Sequence, residues 1–169
     1  MTQTQEQSRT RTYSWHDPAA HAALIGRRSG LELLRAIESG ELPPPPVMSL
    51  IDIDGFAVEA EGSVIVTMTP QEIHYNPLGS VHGGVIATLL DTVAGCAVHS
   101  TLPAGVGYTT LDLTTKYLRP VTVGSGQVRC VGAVLQRGRR TALAQGQLFD
   151  ARGNLAAYAT SSCLIFDMP

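Results

Sequence analysis

The stretch 76-NPLGSVHGGVIATLLDTVAGCAVHS-100 changes character twice within a few turns of chain. Asn76-Pro-Leu-Gly79 is turn chemistry, because proline fixes φ and glycine and asparagine accept unusual backbone angles. From His82 onward, Val85, Ile86, Leu89, Leu90, Val93, Cys96 and Ala97 recur at helical spacing and predict a helix near residues 82–100 with a wide apolar face. Thr88, Asp91, Thr92, Gly95 and His99 make a second stripe, small and polar. A helix this apolar must be covered by something, and the rest of the chain supplies strands.

Residues 48–58 and 63–68 alternate or are β-branched, with a turn at Glu61-Gly62 between them. After Pro103-Ala-Gly105, four further strand-like segments are expected at about 106–118, 125–136, 140–150 and 154–166. Their separators are short, which predicts antiparallel neighbours, since parallel pairing needs long crossovers. Two strands, one long helix and four strands predict an α+β fold in which a curved antiparallel sheet of about six strands wraps the helix. The sheet's outer face and the helix's polar stripe would still lack partners, so a homodimer is expected.

Upstream, Asp17-Pro18 marks a helix start, and Leu24, Leu31, Leu33, Leu34 and Ile37 continue a broken amphipathic pattern to Gly40. Pro43 to Pro46 should stop any helix and form a stiff connector. The organisation expected is a disordered tail over 1–15, a helical arm and proline-rich connector over 16–46, and one domain over 47–169.

Composition narrows the function classes. The net charge of −2 and pI near 6.2 lack the basic footprint of a nucleic-acid binder. The first residues are polar and contain no secretory h-region, and no run approaches the roughly 20 apolar residues that span a bilayer. Three cysteines, Cys96, Cys130 and Cys163, form no CxxC pair, which fits a reduced, cytoplasmic compartment. No His, Cys or carboxylate spacing suits a metal.

Two features of the central helix carry chemistry. Asp91 sits in its interior, where aspartate is a poor helix former and an unpaired buried carboxylate is costly, so it either faces water or has a task. Gly83-Gly84 at the start leaves first-turn N–H groups unshielded, suited to a developing oxyanion or simply to a tight turn. Eight residues separate Gly83 from Asp91, roughly 12 Å along one helix. One carbonyl cannot touch both, so if both act on one substrate they come from different subunits across a two-fold axis.

Asn76-Pro-Leu-Gly79, then Val81-His-Gly-Gly84, then Leu89-Leu-Asp91 resemble the signature of hotdog-fold acyl-CoA thioesterases of the phenylacetate-pathway, PaaI-like, type. The resemblance extends over roughly residues 40–166, including GELPPPP and LDLTTKYLRP. It implies a hotdog fold, assembly as dimers and as dimers of dimers, and hydrolysis of acyl-CoA at the dimer interface. By position it implies that Asn76 holds the thioester region and the attacking water, that Gly83 offers its N–H to the carbonyl oxygen, and that Asp91 of the facing subunit is general base or nucleophile. His82 belongs to the motif, either orienting backbone or moving a proton; His74 and His99 are weaker candidates. Thr110, or Thr109, would support the water. The threonine that some relatives carry one turn past their acid is Gly95 here, which would open space for the acyl group, as would Ala87, Ala94 and Ala97.

Coenzyme A would enter as part of the substrate, with no separate cofactor. Its phosphates call for basic groups, for which Arg137, Arg139 and Arg140 are the first candidates and Lys116 and Arg119 the next. Two other readings use the same pocket: a non-catalytic acyl-CoA sensor, and an acyl-thioester dehydratase or hydratase pairing His74 or His82 with Asp91.

Overall fold

The computed structural model describes residues 8–168. In chain order it has α1 (Ala19–Ala22), α2 (Gly30–Glu38), α3 (Pro46–Leu50), β1 (Ile53–Ala60), β2 (Ser63–Met68), α4 (Gly83–Ser100), β3 (Val106–Tyr117), β4 (Val128–Arg137), β5 (Thr141–Phe149) and β6 (Leu155–Asp167). The strands form one antiparallel sheet in the order β1-β2-β4-β5-β6-β3. Irregular register in β1, β3, β4 and β5 bends the sheet around α4.

The helix lies in that curve. Leu89, Leu90 and Val93 are fully buried against Val66, Met68, Val128, Cys130 and Leu148, and one turn on Ala94 and Val98 pack with Ala142, Ala144, Cys163 and Ile165. By length and composition α4 could cross a membrane, yet half of it is buried inside the fold as core. Small residues on the strands let helix and sheet approach closely. At Gly132 of β4 a Cβ would lie 2.1 Å from the Val93 carbonyl oxygen, so only glycine fits.

Three expectations change. The pairing of consecutive strands fails for β3, which lies beside β6 at the far edge rather than beside β4. Ten residues separate β3 from β4, enough to cross the sheet, and the long β6 pairs on both sides. The single arm helix splits in two, because Ser29 starts α2 afresh with a capping box: its hydroxyl accepts from Glu32 N–H and its own N–H donates to the Glu32 carboxylate at 2.8 Å. The proline run does not merely stop a helix. Pro46 sits in the first turn of α3, where a fixed φ and a missing N–H are harmless, so β1 starts at Ile53.

Of the tail expected over 1–15, residues 1–7 lie outside the described residues. Residues 8–15 have no regular secondary structure, and Arg9 and Arg11 pair with Glu72 and Asp52.

The Gly132 contact gives a stability test. Gly132→Ala should cost about 2–3 kcal/mol in urea unfolding at fixed protein concentration, as overpacking does. Gly124→Ala, whose Cβ meets nothing closer than 3.5 Å, should stay within about 0.5 kcal/mol of the parent.

Candidate active site

The loop before α4 builds itself around Asn76. Its side-chain Oδ1 accepts from Leu78 N–H at 2.9 Å and Ser80 N–H at 3.3 Å, and its Nδ2 donates to Ser80 Oγ at 3.1 Å. Much of the Asn76 amide's capacity is thus spent on its own turn. The loop delivers His82 as the N-cap of α4, with its ring Nδ1 accepting from Gly84 N–H at 2.9 Å. His82 therefore orients backbone.

Val85 and Ile86 donate back to the His82 carbonyl, which leaves Gly83 N–H without a hydrogen-bond acceptor among the described residues. It sits at the positive end of the helix dipole, where a developing oxyanion is best stabilised. Tyr117, at the end of β3, holds this peptide from the other side: its hydroxyl donates to Gly83 O at 3.0 Å. The same ring lies 3.2 Å from where a Gly83 Cβ would be. Tyr117 was missed as a site residue. It stands in the LDLTTKYLRP stretch, but nothing local in the sequence links it to Gly83.

Two turns on, half-buried Asp91 accepts from Thr110 Oγ1 at 3.1 Å through Oδ1. The irregularity of β3 between Thr110 and Asp112 sets Thr110 toward the helix, so Thr110 rather than Thr109 supports the carboxylate. Two thiols, a phenol and the Asp112 carboxylate share this neighbourhood. Burial, with the Asp91 charge adding to it, pushes the Cys96 thiol up to about 12. Burial likewise raises the Tyr108 phenol and the Cys163 thiol, with Asp91 a smaller contributor to each. The two thiols and the phenol thus stay protonated at neutral pH.

Gly95 does not open the space expected of it. Tyr108 fills it, with its hydroxyl 2.7 Å from where a Gly95 Cβ would be. Tyr108 also rests against His99, ring centroids 5.5 Å apart, and burial lowers the His99 pKa. His99 therefore buttresses the tyrosine and makes no contact with Asp91. His74 is buried and faces Asp52.

The basic candidates divide. Arg119 lines a cleft of about 380 Å³ together with Asn76, Ser80, Gly83 and Tyr117. Arg137, Arg139 and Arg140 line another of about 760 Å³ with Val106, Phe166 and Asp167, at the opposite end of β3. Lys116 is exposed on β3. Among the described residues no group of three or more His, Cys, Asp or Glu could hold a metal. Within one chain, then, Gly83 and Arg119 share one neighbourhood and Asp91 and Thr110 another.

Residues 78–157 match the model of the thioesterase superfamily. Human acyl-coenzyme A thioesterase 13 is 33% identical over 99 residues, covering 58% of this chain and 69% of that one. Across the relatives it matches, the chain spans 52% to 69% of their length. Among solved structures, a phenylacetic acid degradation-related protein of Ralstonia eutropha, named as a thioesterase by similarity, superposes with a TM-score of 0.68 at 30% identity, covering 78% of this chain and 98% of that one. A Streptococcus mutans protein whose structure holds acetyl CoA gives 0.61 at 26% identity, over 67% and 88% of the two chains. The chain belongs to the thioesterase superfamily, and its sheet-wrapped helix, with Gly83 at the head and Asp91 two turns on, is the hotdog fold.

Proposed function

We propose that this chain hydrolyses the thioester of an acyl-CoA, with an aryl or a short- to medium-chain acyl group, to the free acid and coenzyme A. The observation that carries the reading is the presence on one helix of a glycine N–H without an acceptor and a carboxylate held by a hydroxyl. The names of the human relative and of the Ralstonia structure, and the acetyl CoA held by the Streptococcus neighbour, support it.

The thioester carbonyl accepts from Gly83 N–H, which strengthens as charge develops on oxygen. Asp91 of the facing subunit, fixed by Thr110, takes a proton from water as the water oxygen bonds to the carbonyl carbon, or bonds to that carbon itself. The C–S bond then breaks and the coenzyme A sulfur leaves with the proton that Asp91 took; on the direct route it leaves as a mixed anhydride forms, and water then opens that anhydride at the Asp91 carbonyl carbon, one of its protons passing to the coenzyme A sulfur. Single turnover in ¹⁸O-water separates the two routes, since opening the anhydride at Asp91 leaves the first label in the protein. A dehydratase reading needs a histidine opposite Asp91, and His74 and His82 bond elsewhere.

The site needs a second chain. Strand β3 lies at the sheet edge, unpaired on its outer side, a row of donors and acceptors ready for another strand. On β3 Thr110 lies level with Asp91 and Tyr117 level with Gly83. A two-fold axis midway, at Leu113–Thr114, sets each Asp91 opposite the partner's Gly83. It also carries the Arg137 to Arg140 turn, at the Val106 end, toward the partner's cleft containing Arg119, where both could meet the coenzyme A phosphates. Leu143, Tyr158 and Phe166, exposed on the sheet's outer face, offer the surface on which two dimers would join.

A thiol-release assay over aryl, short-chain and medium-chain acyl-CoAs tests the chemistry. Asp91→Ala and Asp91→Asn should lower kcat at least about 100-fold, and Thr110→Val roughly 10- to 150-fold through loss of one hydrogen bond to a carboxylate. Hydrolysis unchanged in both Asp91 variants would sink the assignment. No turnover across the panel, with acyl-CoA still bound, would make the protein a sensor.

A further inference from the structure

The N-terminal segment precedes the family match, and one side chain of its first 15 residues reaches toward the site. Arg11 places its guanidinium on both carboxylate oxygens of Asp52, in the turn between α3 and β1. Asp52 is the one non-glycine residue with positive φ, +57°, among those described. That backbone is costly for most side chains, tolerated best by Asp and Asn, and held where the surroundings require it.

What requires it is His74, only 5% exposed. Its Nδ1 accepts from Gln71 N–H at 3.1 Å, so the ring proton sits on Nε2 and donates to Asp52 Oδ2 at 3.0 Å. The His74 carbonyl accepts from His82 N–H at 2.7 Å, and Tyr75 bridges Val81 next to it. His82 in turn caps Gly84. An unbroken chain of bonds thus runs from Arg11 through Asp52, His74 and His82 to the first turn of α4, where Gly83 N–H points out.

We propose that Asp52 and His74 are positioning residues for the Gly83 N–H and that Arg11 locks them, making the N-terminal segment around Arg11 a working part of the active site. Neither Asp52 nor His74 touches substrate. They set the entry angle of the helix, and a donor displaced by about 1 Å loses most of its differential hold on the transition state. Because the ground-state carbonyl is bound less tightly than the oxyanion, the loss falls on kcat. This rests on the thioesterase reading for its kinetic consequence but not for its geometry.

Four variants of the full chain test it: Arg11→Ala, Asp52→Ala, Asp52→Asn and Arg28→Ala. Arg28 pairs with Glu41 in the helical arm and serves as control. Acyl-CoA hydrolysis and amide hydrogen exchange at His82 and Gly84 are measured for each. Arg11→Ala and Asp52→Ala should lower kcat roughly 5- to 30-fold with KM within about twofold, and both amides should exchange faster. Asp52→Asn, which keeps an acceptor for His74 and tolerates the backbone, should recover most of the rate. Arg28→Ala should match the parent. Unchanged exchange at His82 and Gly84 in both Arg11→Ala and Asp52→Ala, or equal losses in Arg28→Ala, would overturn the proposal. If the parent hydrolyses no acyl-CoA, the thioesterase reading fails, and exchange alone still decides the positioning.

Discussion

Helix α4 is a ruler. Its hydrogen-bonded backbone rises about 1.5 Å per residue and does not bend to suit a ligand, so Gly83 and Asp91 stay roughly 12 Å apart in one chain. The core enforces this rigidity, with Leu89, Leu90 and Val93 buried against the sheet and the Val93 carbonyl close on Gly132 of β4. If the Gly83 donor and the Asp91 carboxylate act on one carbonyl, as proposed, a second copy must supply one of them, and the open edge of β3 offers it a place. The proposed dimer would then follow from helix geometry.

The two ends of the ruler are prepared in different ways. At the head, polar contacts fix backbone: Tyr117 on the Gly83 carbonyl, His82 on Gly84, and His74 on His82. Each removes a degree of freedom from the peptide whose N–H remains available. In the middle, the Thr110 hydroxyl holds Asp91, and Tyr108 presses on Gly95. A fixed donor with an unshielded dipole and a carboxylate held by a hydroxyl suit a reaction that builds charge on a carbonyl oxygen and moves one proton.

Signals confined to a few turns of chain were legible in the sequence. The helical period from Val85 to Ala97, the Gly-Gly at its head and the out-of-place Asp91 are local, and they located the helix and its two candidate positions. Contacts between distant segments were not. Tyr117 meets Gly83 across 34 residues, and Asp52 meets His74 across 22. Neither can be read without strand register. Register also decided between Thr109 and Thr110, and it depends on an irregularity in β3 that no residue there announces. Gly95 misled because an absent side chain reads as empty space until the neighbour that fills it, Tyr108, is placed. The same holds for β3 itself, whose partner β6 lies last in the chain.

The most direct test of a site shared between chains is complementation. Inactive Asn76→Ala chains and inactive Asp91→Ala chains are mixed under conditions where subunit exchange is verified, and thioester hydrolysis is followed. Each mixed dimer then holds one site with both defects and one with neither, so activity should rise from near zero to about a quarter of the parent's. Activity that stays at the level of the separate variants after exchange would place Asn76 and Asp91 in a site within one chain and contradict the account.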